Sequence, residues 1–368
     1  MTNETVICAI ATGCSLSFMD LGIVFRVDAT VTMGMGHLLR CLALAQGLVK
    51  QDPTVSITFV LRAESVSLAQ SRQDWVGHIV ILPRELSQAQ EPQWLASYCQ
   101  THNIQVIILD GYQFQVDYRQ ALARIPVQNV VFDDNNDSGP LAADLVINGA
   151  SNAASLGYED TAPDAILCVG NDYRILREEF VEGRYRLPWA QRNAVVLVMG
   201  GSDADNLTLQ ILQGLEQCAF KPCVTVVTGG AYAHLAKLRQ FLQHSQLTSL
   251  HLDNCQQMAA LFGQAKLVVS AAGGTQFELL ACDCPALLLV VADNQANAAA
   301  QAVTQGWCQL VDVRGQANIH EVVAAIEHLC AQPDMLRTMH EKATCLADTQ
   351  GTARVAKQML LLAGRLND

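Results

Sequence analysis

The chain has 368 residues, 51% of them hydrophobic and 16% charged, with 23 basic against 35 acidic residues for a formal net charge of −12. At roughly 150 residues per domain this length suggests two domains, each able to fold without disulfide or metal staples. The acidic balance excludes a non-specific nucleic-acid binder, which needs a basic face, and no apolar run approaches the ~20 residues of a membrane span.

In chain order, residues 1–20 stand apart. They hold Glu4 and no lysine or arginine, whereas a secretory leader begins with basic residues. They are expected to be a dispensable N-terminal extension, with an extra edge strand or docking segment as the alternative. Strand-like sequence begins at Leu21. Short β-rich runs then recur at 23–27, 55–61, 78–82, 106–110, 129–132 and 145–147, with helical patterns at 37–50 and 91–102 among them. A second series has runs at 194–199, 223–228, 250–252, 267–270, 286–290 and 309–311, and helical patterns at 206–218, 232–244, 275–281 and 297–304. Three helical stretches follow, at 320–331, 334–348 and 352–366. The alternation implies α/β architecture with parallel sheets and right-handed crossovers, and the continuously apolar runs imply sheets covered on both faces. Two such series predict two Rossmann-like domains facing across a cleft: an N-terminal one over 21–187 and a C-terminal one over 188–368 that includes the terminal helices. Ligands of such sheets bind beyond the carboxyl ends of the strands. The thirteen cysteines include no C-x-x-C pair, so they read as small buried thiols of a reducing cytoplasm and not as a disulfide framework or zinc site.

Three strand-to-helix turns carry the candidate chemistry. The first contains Gly34, Gly36, His37 and Arg40. Its glycines let backbone approach a ligand, and His37 at a helix start can project toward the cleft as a neutral base. A histidine satisfied locally at the helix start is the plain alternative. The motif is not a dinucleotide fingerprint, because Leu39 stands at the third glycine position. The second turn, with Gly200, Gly201 and Ser202, has the make-up of a pyrophosphate cradle, while Ser202, Asp203 or Asp205 could equally be ordinary helix caps. The third contains Gly273, Gly274, Thr275 and Glu278. Glycine and threonine groups there could hold phosphate while Glu278 accepts from ribose hydroxyls, but Thr275-x-x-Glu278 is also a capping box. Asn294 and Gln295 follow the next strand and could face the cleft.

Residues 25–28 followed by GMGHLLRCLALA resemble the start of the PseG family, UDP-2,4-diacetamido-2,4,6-trideoxy-β-L-altropyranose hydrolases of pseudaminic acid biosynthesis. The resemblance continues in order through Asp110-Gly111-Tyr112, Phe132-Asp133-Asp134, residues 144–148, GNDYRILREEF at 170–180, LVMGGSDADNLTL, AAGGTQFELLA and ADNQANAAA. It implies a hydrolase on the two-domain GT-B scaffold of glycosyltransferases. It further implies that His37 is the catalytic histidine and that Asp28 and Tyr112 lie near the sugar. Gly274, Thr275 and Glu278 match its nucleotide-binding turn, and Asn294 and Gln295 match a motif near the substrate. The family usually has histidine where this chain has Gly111. A UDP leaving group needs no acid to protonate it, so one base that activates water can suffice, unlike the two carboxyl groups of ordinary glycosidases. The expected enzyme is a cytoplasmic, metal-independent UDP-sugar hydrolase without cofactor, with His37 as base and Asp28 orienting His37 or water. A UDP-sugar glycosyltransferase of the same fold is the alternative, and a non-catalytic nucleotide-sugar sensor is a third class.

Overall fold

The computed structural model describes residues 20–29, 35–181, 186–315 and 318–366. The expected extension therefore lies outside the described residues except for Asp20, and Gly34 of the first turn lies outside them too. The first half runs β1 (Gly22–Val27), α1 (Gly36–Gln51), β2 (Ser56–Leu61), α2 (Ala63–Gln70), β3 (His78–Ile81), α3 (Glu91–Thr101) and β4 (Ile104–Asp110). It continues with α4 (Val116–Leu122), β5 (Gln128–Phe132), β6 (Leu145–Asn148), α5 (Tyr158–Thr161), β7 (Ile166–Val169) and α6 (Glu178–Val181). The second half begins β8 (Ala194–Val198), α7 (Leu207–Gln217), β9 (Val224–Thr228), α8 (Leu235–His244), β10 (Ser249–Asp253), α9 (Met258–Phe262) and β11 (Ala265–Ala271). It ends α10 (Thr275–Ala281), β12 (Ala286–Val290), α11 (Asp293–Thr304), β13 (Cys308–Asp312), α12 (Ile319–Cys330), α13 (Pro333–Leu346) and α14 (Gly351–Leu362).

Two wholly parallel sheets result, in the orders β3-β2-β1-β4-β5-β6-β7 and β10-β9-β8-β11-β12-β13. This is the two-domain α/β architecture that the alternation predicts. The central strands are Val-, Ile- and Leu-rich and buried on both sides, so each sheet has a core on either face. Among the described residues no helix is long and apolar enough to cross a membrane.

Three sequence expectations are corrected. The first sheet gains a strand, β7, which pairs with β6 at the sheet edge and leaves Ile166 and Leu167 exposed. A run of only four apolar residues, of which Ile166 and Leu167 are exposed and Cys168 is buried, carries no alternation that would mark a strand. Helix α11 starts at Asp293 instead of 297, which puts Asn294 and Gln295 on its first turn. The last helix also leaves the half it was assigned to. Val355, Ala356, Met359 and Leu360 of α14 are buried in one cluster with Leu38, Leu44 and Leu48 of α1 and Phe25 of β1. The Thr352 hydroxyl pins the start of α14 to the inter-sheet segment, accepting from the Leu176 amide at 2.8 Å and donating to the Leu176 carbonyl at 2.9 Å. An apolar stripe in sequence says that a helix docks, not on which neighbour.

Met359 is 1% exposed in that cluster. Met359→Ala should therefore cost about 2–5 kcal/mol of stability, read by urea denaturation.

Candidate active site

In each sheet the chain reverses direction beside the first strand, between β1 and β4 and between β8 and β11. Crevices form at the carboxyl ends of strands at such points. The candidate residues gather there: Asp28 after β1, Asp110 ending β4, Asp134 after β5, and the glycine turns after β8 and β11.

His37 is the second residue of α1 and is buried. Its Nδ1 lies 2.6 Å from Asp110 Oδ1, and Asp110 is fully buried. Burial pushes the Asp110 carboxyl up, but Arg40 and His37 outweigh it and hold it down at about 2. An ionised carboxylate only accepts, so Nδ1 carries the ring proton and Nε2 is the nitrogen left basic. Arg40 Nη2 is 3.1 Å from the same Nδ1, but a guanidinium cannot accept that proton.

Arg40 does not have the substrate-binding arrangement expected of it. Its Nε and Nη2 donate to the two oxygens of Asp110 at 2.6 Å each, and its Nη1 donates to Asp134 Oδ1 at 2.7 Å. The guanidinium lies 4.9 Å from the centre of the Phe132 ring. Its donors are committed to protein carboxylates, which makes it a brace. Asp134 in turn accepts from the Tyr112 hydroxyl at 2.6 Å, and Asn294 Nδ2 donates to that hydroxyl at 2.7 Å. The Tyr112 ring stands edge-on to His37, with centroids 5.0 Å apart at 85°. Burial and the neighbouring Asp134 both push the Tyr112 phenol well above its ordinary value. His37, Tyr112 and Asn294 are thus brought together, and one polar chain joins the two halves of the protein.

Asp28 is corrected as the partner of His37. Its Oδ2 pairs with buried Arg26 at 2.7 Å, and its Oδ1 accepts from the Arg62 amide at 2.7 Å. Arg26 is itself paired with Glu91 at 2.9 Å. Asp28 therefore belongs to a separate charged cluster built on Arg26 and Glu91. Gly111 has φ +148, and a Cβ there would meet the Gln113 amide. Gln113 fills the space that a histidine side chain would need.

Across the crevice, Gly200 has φ +77; Gly200 and Gly274 there, and Gly36 on the first turn, have open space where a Cβ would stand. Gly201 faces the first turn, since its Cβ would lie 3.5 Å from Met35 Cγ. Capping in the second turn is done by Asp203, not Ser202 or Asp205. Its two oxygens accept from the Leu207 and Thr208 amides at 2.8 and 2.9 Å. Ser202 is left half-buried beside it. The capping box expected in the third turn does not form: α10 is capped by Gly274 without a side-chain bond, and Thr275 is its first residue. Glu278 is paired instead with buried Arg177, whose Nε and Nη2 donate to Oε1 at 3.1 and 2.9 Å. Gln295 lies beside Gly273, which would bring a Cβ to 3.8 Å from its Nε2, and its Oε1 accepts from the Val291 amide at 3.1 Å.

Sequence reasoning missed Asp110, Asp134 and Arg177 as parts of the site. A carboxylate closing one predicted strand and another just after the next would have marked the two aspartates. Nothing local marks Arg177, whose partner is 101 residues away.

Residues 195–359 match the model of the glycosyltransferase family 28 C-terminal domain. An uncharacterized protein of Methanocaldococcus jannaschii is 25% identical over 270 residues, 71% of this chain, and the match spans about half of that relative's own length, 54%. A UDP-2,4-diacetamido-2,4,6-trideoxy-β-L-altropyranose hydrolase of Campylobacter jejuni is 27% identical over 253 residues, 68% of this chain and 84% of that protein. Among solved structures, Acinetobacter baumannii MurG superposes with a TM-score of 0.65 at 14% identity, covering 93% of this chain and 99% of that one. The S. aureus MnaA–UDP co-structure gives 0.67 at 12% identity, covering 95% and 98%. The fold is GT-B-like, with two parallel-sheet α/β domains.

Because the Asp110 carboxyl is held below its ordinary value, its pairing stabilises the fold above about pH 4 and is lost as pH falls toward 2. The stability gap between wild type and Asp110→Asn, followed by urea denaturation from about pH 6 down to about pH 3, should narrow as pH falls.

Proposed function

We propose that the protein is a nucleotide-sugar enzyme that hydrolyses a UDP-linked diacetamido-trideoxy sugar, the UDP-2,4-diacetamido-2,4,6-trideoxy-β-L-altrose of pseudaminic acid biosynthesis, to free sugar and UDP. The observation that carries this reading is the 2.6 Å pair of His37 with a buried, ionised Asp110 at the crevice. It leaves a basic Nε2 on a rigidly held ring, which is what activation of water requires. The Campylobacter hydrolase at 27% identity supports the choice of substrate.

In this mechanism His37 Nε2 takes a proton from water while the water oxygen attacks the anomeric carbon. The bond from that carbon to the UDP oxygen breaks, and its electron pair leaves on the β-phosphate. Asp110 stabilises the imidazolium that forms, as the acidic partner of a histidine base does. Backbone amides around Gly36, Gly200, Gly201, Gly273 and Gly274, with the hydroxyls of Ser202 and Thr275, stabilise the departing pyrophosphate. Glu278 Oε2, outside the pair with Arg177, accepts from ribose hydroxyls. Tyr112, Asn294 and Gln295 bound the sugar. Asp28 shapes the floor of the crevice through Arg26 and the Arg62 amide. The division of labour gives the base to residues 21–187 and the nucleotide to the second half.

A specific observation favours a second reading. The family model matching residues 195–359 is that of a glycosyltransferase domain, so the sugar could pass to an acceptor other than water. Incubating the protein with the UDP-sugar in water and following UDP by NMR separates the two. Release without acceptor supports hydrolysis, and release only after an acceptor is added supports transfer. His37→Asn should lower turnover by about 10²–10⁴-fold while UDP affinity in calorimetry is retained. Near-normal hydrolysis by that variant would remove His37 from the mechanism.

A further inference from the structure

The GNDYRILREEF segment at 170–180 links the two sheets and enters the mechanism above only through the Arg177–Glu278 pair. It grips the first turn of α10 with two buried arginines. The Arg174 guanidinium lies 5.4 Å from the centre of the Phe277 ring, and Arg177 pairs with Glu278, the next residue. Arg177 is itself fixed on several sides. Its Nη1 donates to Glu179, and its guanidinium lies 4.9 Å from the centre of the Phe180 ring. Glu179 in turn accepts from the Ala259 amide at 3.0 Å.

The pairing with Glu278 is one-sided. A guanidinium fork usually engages both oxygens of a carboxylate. Here Nε and Nη2 converge on Oε1, which leaves Oε2 outside the pair. We propose that Arg177 is a positioning residue for nucleotide binding, holding Glu278 with one oxygen engaged and the other presented to the ribose hydroxyls. This rests on the ribose reading of Glu278 given above. Burial raises the Glu278 carboxyl above its ordinary value, and Arg177 opposes part of that rise, so the guanidinium favours the ionised, accepting form without reversing the shift.

The test compares UDP with 2′,3′-dideoxy-UDP by calorimetry on the full chain, for wild type, Glu278→Gln, Arg177→Met and Arg177→Lys. Wild type should prefer UDP by about tenfold or more, as a charge-assisted hydrogen bond would produce. Glu278→Gln and Arg177→Met should lose most of that preference by weakening UDP binding while leaving the dideoxy affinity unchanged. Arg177→Lys keeps the charge but not the fork and should retain part of the preference. A general loss of structure would weaken both nucleotides alike, so the ratio isolates positioning. If Arg177→Met does not fold, an Arg177→Lys variant with undiminished preference overturns the inference. Arg177→Met with the wild-type ratio, beside a Glu278→Gln that has lost it, overturns the inference alone. Equal binding of the two nucleotides by wild type, or an undiminished preference in Glu278→Gln, overturns the ribose reading and this inference with it.

Discussion

The guanidinium of Arg40 sits between two aspartates, and the geometry of the crevice depends on that placement. Buried Asp110 accepts from its Nε and Nη2, and Asp134 accepts from its Nη1. A buried carboxylate without a partner is costly, so helix α1 must dock where Arg40 can reach the ends of both β4 and β5. That docking brings His37, three residues earlier on the same helix, against Asp110 Oδ1. It also leaves Asp134 to hold the Tyr112 hydroxyl, which receives Asn294 from the other half. One ion-pair cluster thereby sets the tautomer of a histidine and the contact between two sheets.

A second charged cluster lies on the neighbouring strand and does different work. Arg26, the penultimate residue of β1, is 1% exposed, and it is tolerated there because Asp28 and Glu91 pair with it. Tyr118 and Arg62 also bond to Glu91. The cluster satisfies its own charges and anchors the start of the loop after β1. This explains why Asp28, beside the glycine-histidine turn in sequence, is spent on structure while Asp110, far away in sequence, meets the histidine.

The glycine turns of the second half are alike in sequence and unlike in use. Asp203 turns both carboxylate oxygens onto the first amides of α7, so those two amides are taken by the protein itself, apart from the Gly200–Ser202 backbone that precedes them. At α10 the cap is Gly274 with no side-chain bond, and the carboxylate of that turn is drawn toward Arg177. The first amides there bond to backbone instead, Gln276 N–H to the Gly273 carbonyl and Phe277 N–H to the Gly274 carbonyl, both at 3.1 Å, so no carboxylate occupies that helix start. The two arginines of the inter-sheet segment also tie α10 to the connection with the first half, as Thr352 ties α14.

Much of this was legible in sequence because it depends on local pattern. Apolar runs alternating with helical stretches determined the parallel α/β architecture, and glycines between strand and helix marked the turns where His37, Gly200, Gly201 and Gly274 stand. Each of those signals lies within a few residues of its consequence. The tertiary structure decided which charges meet. Asp110 pairs with His37 across 73 residues, Arg177 with Glu278 across 101, and Asn294 reaches Tyr112 across 182. It also decided that α14 completes the core beside α1. Periodicity states which face of an element is apolar and which residues can carry charge. Partners are chosen only when the whole chain packs, because a buried charge or apolar stripe is satisfied by whatever neighbour the fold brings within reach.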